Sequence, residues 1–234
     1  MTIKAVFFDL GGTLLVMRRD RVFRQVLYDL GIDVELDAVH SSYGRVESWW
    51  VGEYGGRKLT PDQTVEAYRD LDAKVFINLF PRATEKEAED VSKTVRDRWP
   101  AVEKTIPLQL YPDAEPALET LKSRGYRMAL VSNAPPDTQR AVESLGLPRY
   151  LDPIVISGLV GYSKPHPEIF KIAMRGAGVE PSGTIHVGDL YESDVVGAKS
   201  AGIEGILLDR EGRTSRDDCR TISTLDGLAQ VLGF

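Results

Sequence analysis

Cysteine, histidine and long apolar runs are all scarce in this chain of 234 residues. Its single cysteine, Cys219, excludes an intrachain disulfide and fits a reducing compartment. Cys219 lies in a polar segment with no histidine nearby, so we do not expect a catalytic thiol. No apolar run approaches the roughly 20 residues that span a bilayer, and no signal-peptide layout precedes the first strand. We therefore expect a cytoplasmic protein without a membrane partner.

A surplus of positive charge is also absent. The formal net charge is −6 and the isoelectric point is near 5.2. The basic residues are dispersed, which argues against a nucleic-acid partner. A hydrophobic content of 42 % and a charged content of 27 % are ordinary for a globular protein. The length fits one α/β domain, or a core that carries an insert.

Two kinds of sequence pattern divide the chain. The first alternates short apolar strands with helical patterns, which indicates right-handed βαβ units and a parallel sheet. It predicts strands at 4–8, 127–132, 153–157, 184–188 and 205–208. It predicts helices at 114–124, 137–145, 167–176, 193–201 and 225–232.

The second kind of pattern, over residues 16–105, is rich in charge and in helical periodicity. It predicts helices at 21–30, 36–51, 61–79 and 85–98. The predicted fold class is therefore α/β, with a Rossmann-like parallel sheet, helices on both faces and an inserted all-α cap domain. We expect a core domain of residues 1–15 and 106–234 and a helical domain of residues 16–105.

Polar residues follow several of the predicted strands. Asp9 follows the first strand and Ser132-Asn133 the second, while Lys164 lies in a loop and Gly188-Asp189 closes a later strand. Each of them alone also suits a turn, a helix cap or a solvated loop. Because the carboxyl ends of parallel strands meet at one edge of a sheet, we expect these side chains to converge.

The chemistry of this set favours phosphoryl transfer. Asp9 and Asp189 are hard oxygen ligands that suit Mg²⁺, and Asp194 would hold a metal-bound water or orient Lys164. Lys164, Ser132 and Asn133 would bind the oxygens of a phosphoryl group. Gly12 and Thr13, beside the first carboxylate, complete the candidate substrate-binding residues.

These segments resemble the four motifs of the haloacid dehalogenase-like (HAD) hydrolase superfamily, in the same order. They are Asp9-Leu10-Gly11-Gly12-Thr13, Val131-Ser132-Asn133, Lys164-Pro165 and Gly188-Asp189 with Asp194. The helical insert after the first motif resembles that family's type 1 cap, and Tyr111-Pro112-Asp113 adds to the likeness.

The resemblance implies a Mg²⁺-dependent phosphohydrolase that acts on a small phosphorylated metabolite. Asp9 would be the nucleophile and would form an aspartyl-phosphate. Mg²⁺ would be held by Asp9, the main-chain carbonyl of Gly11 and Asp189, with Asp194 beside them. The same resemblance makes Ser132, Asn133 and Lys164 catalytic and phosphate-binding residues; it predicts nothing about the oligomer.

Gly11 departs from the phosphatases of this family, which usually carry a second aspartate as acid–base at that position. Three interpretations follow. In the first, the chain is a phosphohydrolase that is slow or limited to good leaving groups, or that takes the missing proton from the cap or the substrate. In the second, it is a 2-haloacid dehalogenase-like or other C–X hydrolase, such as a phosphonate-cleaving enzyme with Lys58 or Lys74. In the third, it is a catalytically impaired binding protein.

Substrate choice is expected from the cap. Trp49 or Trp50 would form an apolar wall, or would simply seal the helical core, and Arg45 or Arg57 would meet an anionic substrate. The three histidines, His40, His166 and His186, are interpreted as structural, since they form no metal-ligand pattern.

Overall fold

A six-stranded parallel sheet forms the centre of the fold in a computed structural model, which describes residues 3–55, 57, 60–212 and 216–234. The strands are β1 (Ala5–Phe8), β2 (Arg127–Ser132), β3 (Ile154–Ile156), β4 (Thr184–Gly188), β5 (Glu204–Leu208) and β6 (Arg220–Ile222). Their order across the sheet is β3-β2-β1-β4-β5-β6, and every pairing is parallel. The predicted α/β class with a Rossmann-like sheet is confirmed.

Helices make up most of the remaining regular structure. They are α1 (Arg19–Asp29), α2 (Leu36–Tyr54), α3 (Pro61–Leu79), α4 (Glu85–Glu103), α5 (Ala114–Ser123), α6 (Thr138–Ser144), α7 (Ser157–Val160), α8 (Pro167–Ala177), α9 (Gly197–Ser200) and α10 (Leu228–Leu232). Short helical turns lie at Leu147–Arg149, Pro181–Gly183, Tyr191–Val196 and Leu225–Gly227. Within the described ranges, no helix combines the length and apolarity that membrane spanning requires.

Strand β1 is buried on both faces of the sheet. Val6 and Phe8 belong to a core cluster that includes residues of α5 and α10. Ala5 and Phe7 belong to a cluster with residues of α8 and α9 on the opposite face. A strand covered by helices on both sides needs apolar residues at every position, which explains why this segment shows no polar alternation.

The chain divides into two compact units. The first comprises Met1–Val16, Gly55–Arg57 and Leu108–Phe234, and the second comprises Met17–Tyr54 and Lys58–Pro107. The second unit contains α1 to α4, which enclose a core of their own, including Phe23, Val26, Val39, Leu71 and Val75. Both α3 and α4 begin with a capping box, a local signal that fixes where a helix starts.

Within the first unit, two segments distant in sequence meet beside β1. Val16 donates its backbone N–H to the carbonyl of Gln109 at 2.8 Å, and Tyr111 donates to the carbonyl of Leu14 at 2.9 Å. Leu15 and Leu110 form an antiparallel bridge between them. The residues that follow Asp9 are therefore anchored to the residues that precede α5.

Several elements differ from the sequence prediction; α7 (Ser157–Val160), for example, lies where no helix is predicted. Strand β6 was not predicted, because it has three residues of which only Ile222 is buried. The predicted helix at 193–201 is instead a π-helical turn, Tyr191–Val196, followed by α9. In that turn the Asp194 carboxylate accepts a hydrogen bond from the Leu190 N–H at 3.0 Å.

Candidate active site

The carboxyl ends of β1, β2 and β4 form one edge of the sheet. Phe8 of β1 lies opposite Leu130 of β2 and Val187 of β4. The residues that follow these strands are therefore side by side, with Asp9 in the middle. The strand order reverses between β1 and β4, which is the point where open α/β sheets bind ligands.

Lys164 connects two carboxylates at this edge. Its Nζ lies 2.6 Å from Asp9 Oδ1 and 2.5 Å from Asp194 Oδ1, and all three side chains are buried. Although burial opposes the charged form, Asp194 and Asp9 raise the pKa of Lys164 above its ordinary value. The ammonium is therefore charged at neutral pH and binds both carboxylates through charge-assisted hydrogen bonds.

Asp194 is held from several sides. His186 Nε2 lies 2.9 Å from Asp194 Oδ1. Burial lowers the pKa of His186, so the imidazole is neutral and donates from Nε2. Burial opposes ionisation of Asp194, but Lys164 and His186 lower its pKa below the ordinary value. The sequence did not predict the contact between His186 and Asp194, because it depends on the π-helical turn that contains Asp194.

Asp9 has a strongly perturbed environment. Burial raises its pKa to about 6; Lys164 opposes this shift, and the negative charge of Asp194 adds to it. One carboxylate oxygen from each of Asp9, Asp189 and Asp194 lies within 4.8 Å of the others. Three oxygen donors at this separation suit a hard divalent cation such as Mg²⁺.

Two glycines make room for these carboxylates. Gly12 has a φ of +80°, and a Cβ there would lie 2.5 Å from Asp189 Cγ. A Cβ at Gly188 would lie 2.5 Å from Asp194 Cβ. Real Cβ atoms do not approach other atoms so closely. Larger residues at either position would therefore displace an acidic side chain of the site.

Asn133 is engaged with the main chain of Lys164. Its Nδ2 donates to the Lys164 carbonyl at 2.8 Å, and its Oδ1 accepts from the Lys164 N–H at 2.7 Å. Ser132 ends β2 at the same edge and is buried. Thr13 is fully buried, and its hydroxyl has no hydrogen-bond partner within the described part of the chain. Gly11 contributes only main-chain groups.

The aromatic residues proposed for substrate selection pack within the second unit. Trp50 stacks on Tyr68 with ring centroids 5.4 Å apart. The Lys74 ammonium lies 5.2 Å from the centre of the Trp49 ring. Trp50 and Tyr68 pack against the core of the helical unit, whereas Trp49 is half-buried and Lys74 is exposed. The other candidate lysine, Lys58, lies outside the described residues.

The remaining candidates have local partners. Arg45 donates to Asn78 Oδ1 at 2.5 Å within the second unit, and Arg57 is exposed. His40 contacts the buried carboxylate of Asp20. The imidazole of His166 accepts a hydrogen bond at the start of α8. None of these contacts involves the carboxylates around Lys164.

Comparisons with known proteins identify the family of the chain. The family model described as haloacid dehalogenase-like hydrolase matches residues 3–202. Phosphoserine phosphatase of Thermus thermophilus is 40 % identical over 102 residues, which are 43 % of this chain and 41 % of that protein. The chain therefore spans less than half the length of that relative.

Solved structures share the whole fold. A HAD phosphatase from Thermococcus onnurineus matches with a TM-score of 0.60 at 27 % identity, over 99 % of this chain and 98 % of that chain. A 2-haloacid dehalogenase from Pseudomonas syringae matches with a TM-score of 0.59 at 23 % identity, over 99 % of each chain, and so shows a common fold alone. The predicted resemblance is confirmed: the chain belongs to the haloacid dehalogenase-like hydrolases.

Proposed function

We propose that this protein is a Mg²⁺-dependent phosphohydrolase that uses Asp9 as nucleophile on a small phosphorylated metabolite. The observation that carries the proposal is the position of Lys164, whose ammonium binds Asp9 and Asp194 while Asp189 lies beside them. The set combines a nucleophile, a cation for phosphoryl oxygens and oxygen donors for a metal. The similarity to a phosphoserine phosphatase supports a small phosphomonoester as substrate, and the single cysteine suits the cytoplasm.

The donor set fits Mg²⁺. Asp9, Asp189 and the Gly11 carbonyl would hold the ion, because all three are hard oxygen donors. When bound, Mg²⁺ supplies positive charge that neutralises phosphoryl oxygens. Asp194 already accepts hydrogen bonds from Lys164, His186 and Leu190. We therefore assign it to orienting Lys164 and to holding a metal-bound water.

The proposed reaction has two halves, and both take place at Asp9. An Asp9 oxygen attacks phosphorus, and the bond to the leaving oxygen breaks with its electron pair. Water then hydrolyses the resulting aspartyl-phosphate and releases inorganic phosphate. Ser132 and Lys164 bind the phosphoryl oxygens in both steps. Asn133 serves the site by fixing the main chain of Lys164. We assign substrate selection to the helical unit, which would serve as the type 1 cap.

Gly11 limits the reaction. It has no side chain to protonate the leaving group or to activate the water. A positioned acid–base is worth about 10²–10⁴-fold in rate, which is roughly 3–5 kcal/mol of barrier. The enzyme is therefore slow, or confined to leaving groups that depart without a proton, such as aryl and acyl phosphates.

A phosphatase panel with and without Mg²⁺ tests the proposal. Turnover of 4-nitrophenyl phosphate should require Mg²⁺ and should disappear in Asp9→Asn. Asp226→Asn is the matched control, because Asp226 is an exposed aspartate outside the site. Metal-independent turnover, or no turnover of any phosphate ester or anhydride, would contradict the proposal.

A second candidate is hydrolysis of a carbon–halogen bond, which the missing carboxylate at position 11 favours. Two further acidic residues beside Asp9 argue against it, because that reaction needs no metal. Chloride release from short 2-haloacids, lost in Asp9→Asn, would establish it. Retained phosphate-ligand affinity without any turnover would instead identify a catalytically impaired binding protein.

A further inference from the structure

Arg210, which follows β5, donates two hydrogen bonds to the loop after Asp9. Its Nη2 donates to the Thr13 carbonyl at 2.8 Å, and its Nε donates to the Gly12 carbonyl at 3.3 Å. Its side chain is 16 % exposed. The guanidinium lies 3.8 Å from the centre of the Tyr111 ring, so one of its faces is covered.

The Asp113 carboxylate binds the same guanidinium through two hydrogen bonds, as a bidentate ion pair. The distances are 2.9 Å from Nη1 to Oδ2 and 3.0 Å from Nη2 to Oδ1. Asp113 Oδ2 also accepts the Leu225 N–H at 2.8 Å. Burial opposes ionisation, but the hydrogen bonds from Arg210 and Leu225 lower the pKa of Asp113 below its ordinary value. The carboxylate is therefore a charged anchor for Arg210.

The two carbonyls that Arg210 binds belong to the loop that carries the site. In a trans peptide the C=O and N–H point in opposite directions, so the orientation of the Gly12 carbonyl fixes that of the Thr13 N–H. The loop closes on itself through hydrogen bonds from Leu14 and Leu15 to the Leu10 carbonyl. Gly12, in turn, lies against Asp189. A rotation of these peptides would shift both Gly11 and the surroundings of Asp189.

We propose that Arg210, anchored by Asp113, is a positioning residue that fixes the Gly11–Thr13 main chain for phosphoryl transfer at Asp9. The catalytic part of this inference rests on the proposed function. The mechanical part does not, because it concerns the geometry of a loop in the protein without substrate. Arg210 acts through main-chain carbonyls and touches no reacting atom.

Three variants test it: Arg210→Ala, Arg210→Lys and Asp113→Asn. Lysine keeps the positive charge but cannot form the bidentate ion pair with Asp113. Arg220→Ala is the matched control, since Arg220 forms an exposed ion pair with Glu204 at 3.1 Å in the same unit. Amide hydrogen exchange of Gly12, Leu14 and Leu15 is measured without substrate, together with kcat and KM for 4-nitrophenyl phosphate and the thermal midpoint.

In all three variants we expect exchange at these amides to accelerate at least about tenfold relative to Arg220→Ala, equivalent to about 1.4 kcal/mol. We expect kcat to fall about 10- to 100-fold with KM within about twofold, because a misplacement of about 1 Å can cost about 10²-fold. If Arg210→Ala fails to fold, the other two variants give the same comparison.

Each contrary outcome has one meaning. Unchanged exchange at the three amides in folded variants overturns the positioning role. Faster exchange with unchanged kcat overturns its link to catalysis. Absence of phosphatase activity in the wild type refutes the proposed function instead, and the exchange data then still decide whether Arg210 fixes the loop.

Discussion

Gly12→Ala separates backbone strain from damage to the site, because the chain offers a matched glycine. Gly12 has a φ of +80° and Gly125 a φ of +79°, but no atom lies within 4 Å of a Cβ placed on Gly125. The left-handed conformation costs alanine roughly 1–2 kcal/mol, of which the stiffer unfolded chain offsets about 0.4–1 kcal/mol. Gly125→Ala should therefore lose about 1 kcal/mol of unfolding free energy, and Gly12→Ala at least as much, because its Cβ also meets Asp189.

Only Gly12→Ala should damage the acidic site. Its Cβ would lie 2.5 Å from Asp189 Cγ and 3.0 Å from Oδ1, so the carboxylate must move by about 1 Å. We expect Mg²⁺ to bind about 10- to 100-fold more weakly, the usual cost of disturbing the support of a metal ligand. We expect kcat/KM to fall about 10²-fold, or about 2.7 kcal/mol of barrier.

The assays are urea unfolding without metal, calorimetric titration with Mg²⁺ and turnover of 4-nitrophenyl phosphate. Gly125→Ala should be destabilised no more than Gly12→Ala in the first assay and should match the wild type in the other two. If Gly12→Ala binds Mg²⁺ and turns over substrate as well as Gly125→Ala does, the argument that Gly12 makes room for Asp189 is refuted.

Three further outcomes are expected. Gly11→Asp should raise turnover of alkyl phosphates by up to about 10²-fold; a flat dependence of the wild-type rate on leaving-group pKa would instead show another proton donor. Asn133→Ala removes both hydrogen bonds to the Lys164 main chain, so urea unfolding should show that about 1–3 kcal/mol of unfolding free energy is lost, and kcat should fall. Asn133→Asp should give intermediate values. Stability and kcat equal to those of the wild type would exclude a role of Asn133 in fixing the Lys164 main chain. Asp113→Asn should lower stability above pH 4, because the folded pKa of Asp113 is below its ordinary 3.8. The difference in unfolding free energy between the variant and the wild type should shrink as pH falls through that lowered pKa. Urea unfolding between pH 2.5 and 7 measures this difference, which would stay constant with pH if Asp113 were not ionised in the folded protein.

The sheet could be predicted because its strands are short, apolar and buried on both faces. The run Ala5–Phe8 shows this pattern without interruption. Strand β6 gave no such signal, since an edge strand of three residues pairs on one side and buries only Ile222. The π-helical turn at Tyr191–Val196 depends on the contact between Asp194 and Leu190, which a helical pattern does not reveal.

The candidate site was predictable as a set of positions but not as a network. Strand ends converge in any parallel sheet, so Asp9, Ser132 and Asp189 were expected to lie together. The sequence offered the orienting of Lys164 as one role of Asp194, but their direct contact depends on the loop at Lys164 and on the π-helical turn Tyr191–Val196. The contacts of Arg210 were not predicted, because Asp113 lies about 100 residues away in sequence and Gly12 and Thr13 about 200.

The position of β1 has a consequence for synthesis on the ribosome. It is translated before every other strand, yet its neighbours β2 and β4 begin only at Arg127 and Thr184. At about 5–20 residues per second, the second neighbour follows roughly 10 to 35 seconds later. One edge of this apolar strand stays unpaired for that long, even after β2 has been translated, which is a hazard for aggregation. Helices α1 to α4 have local contacts and fold faster, so we expect them to form before the sheet around Asp9 is complete.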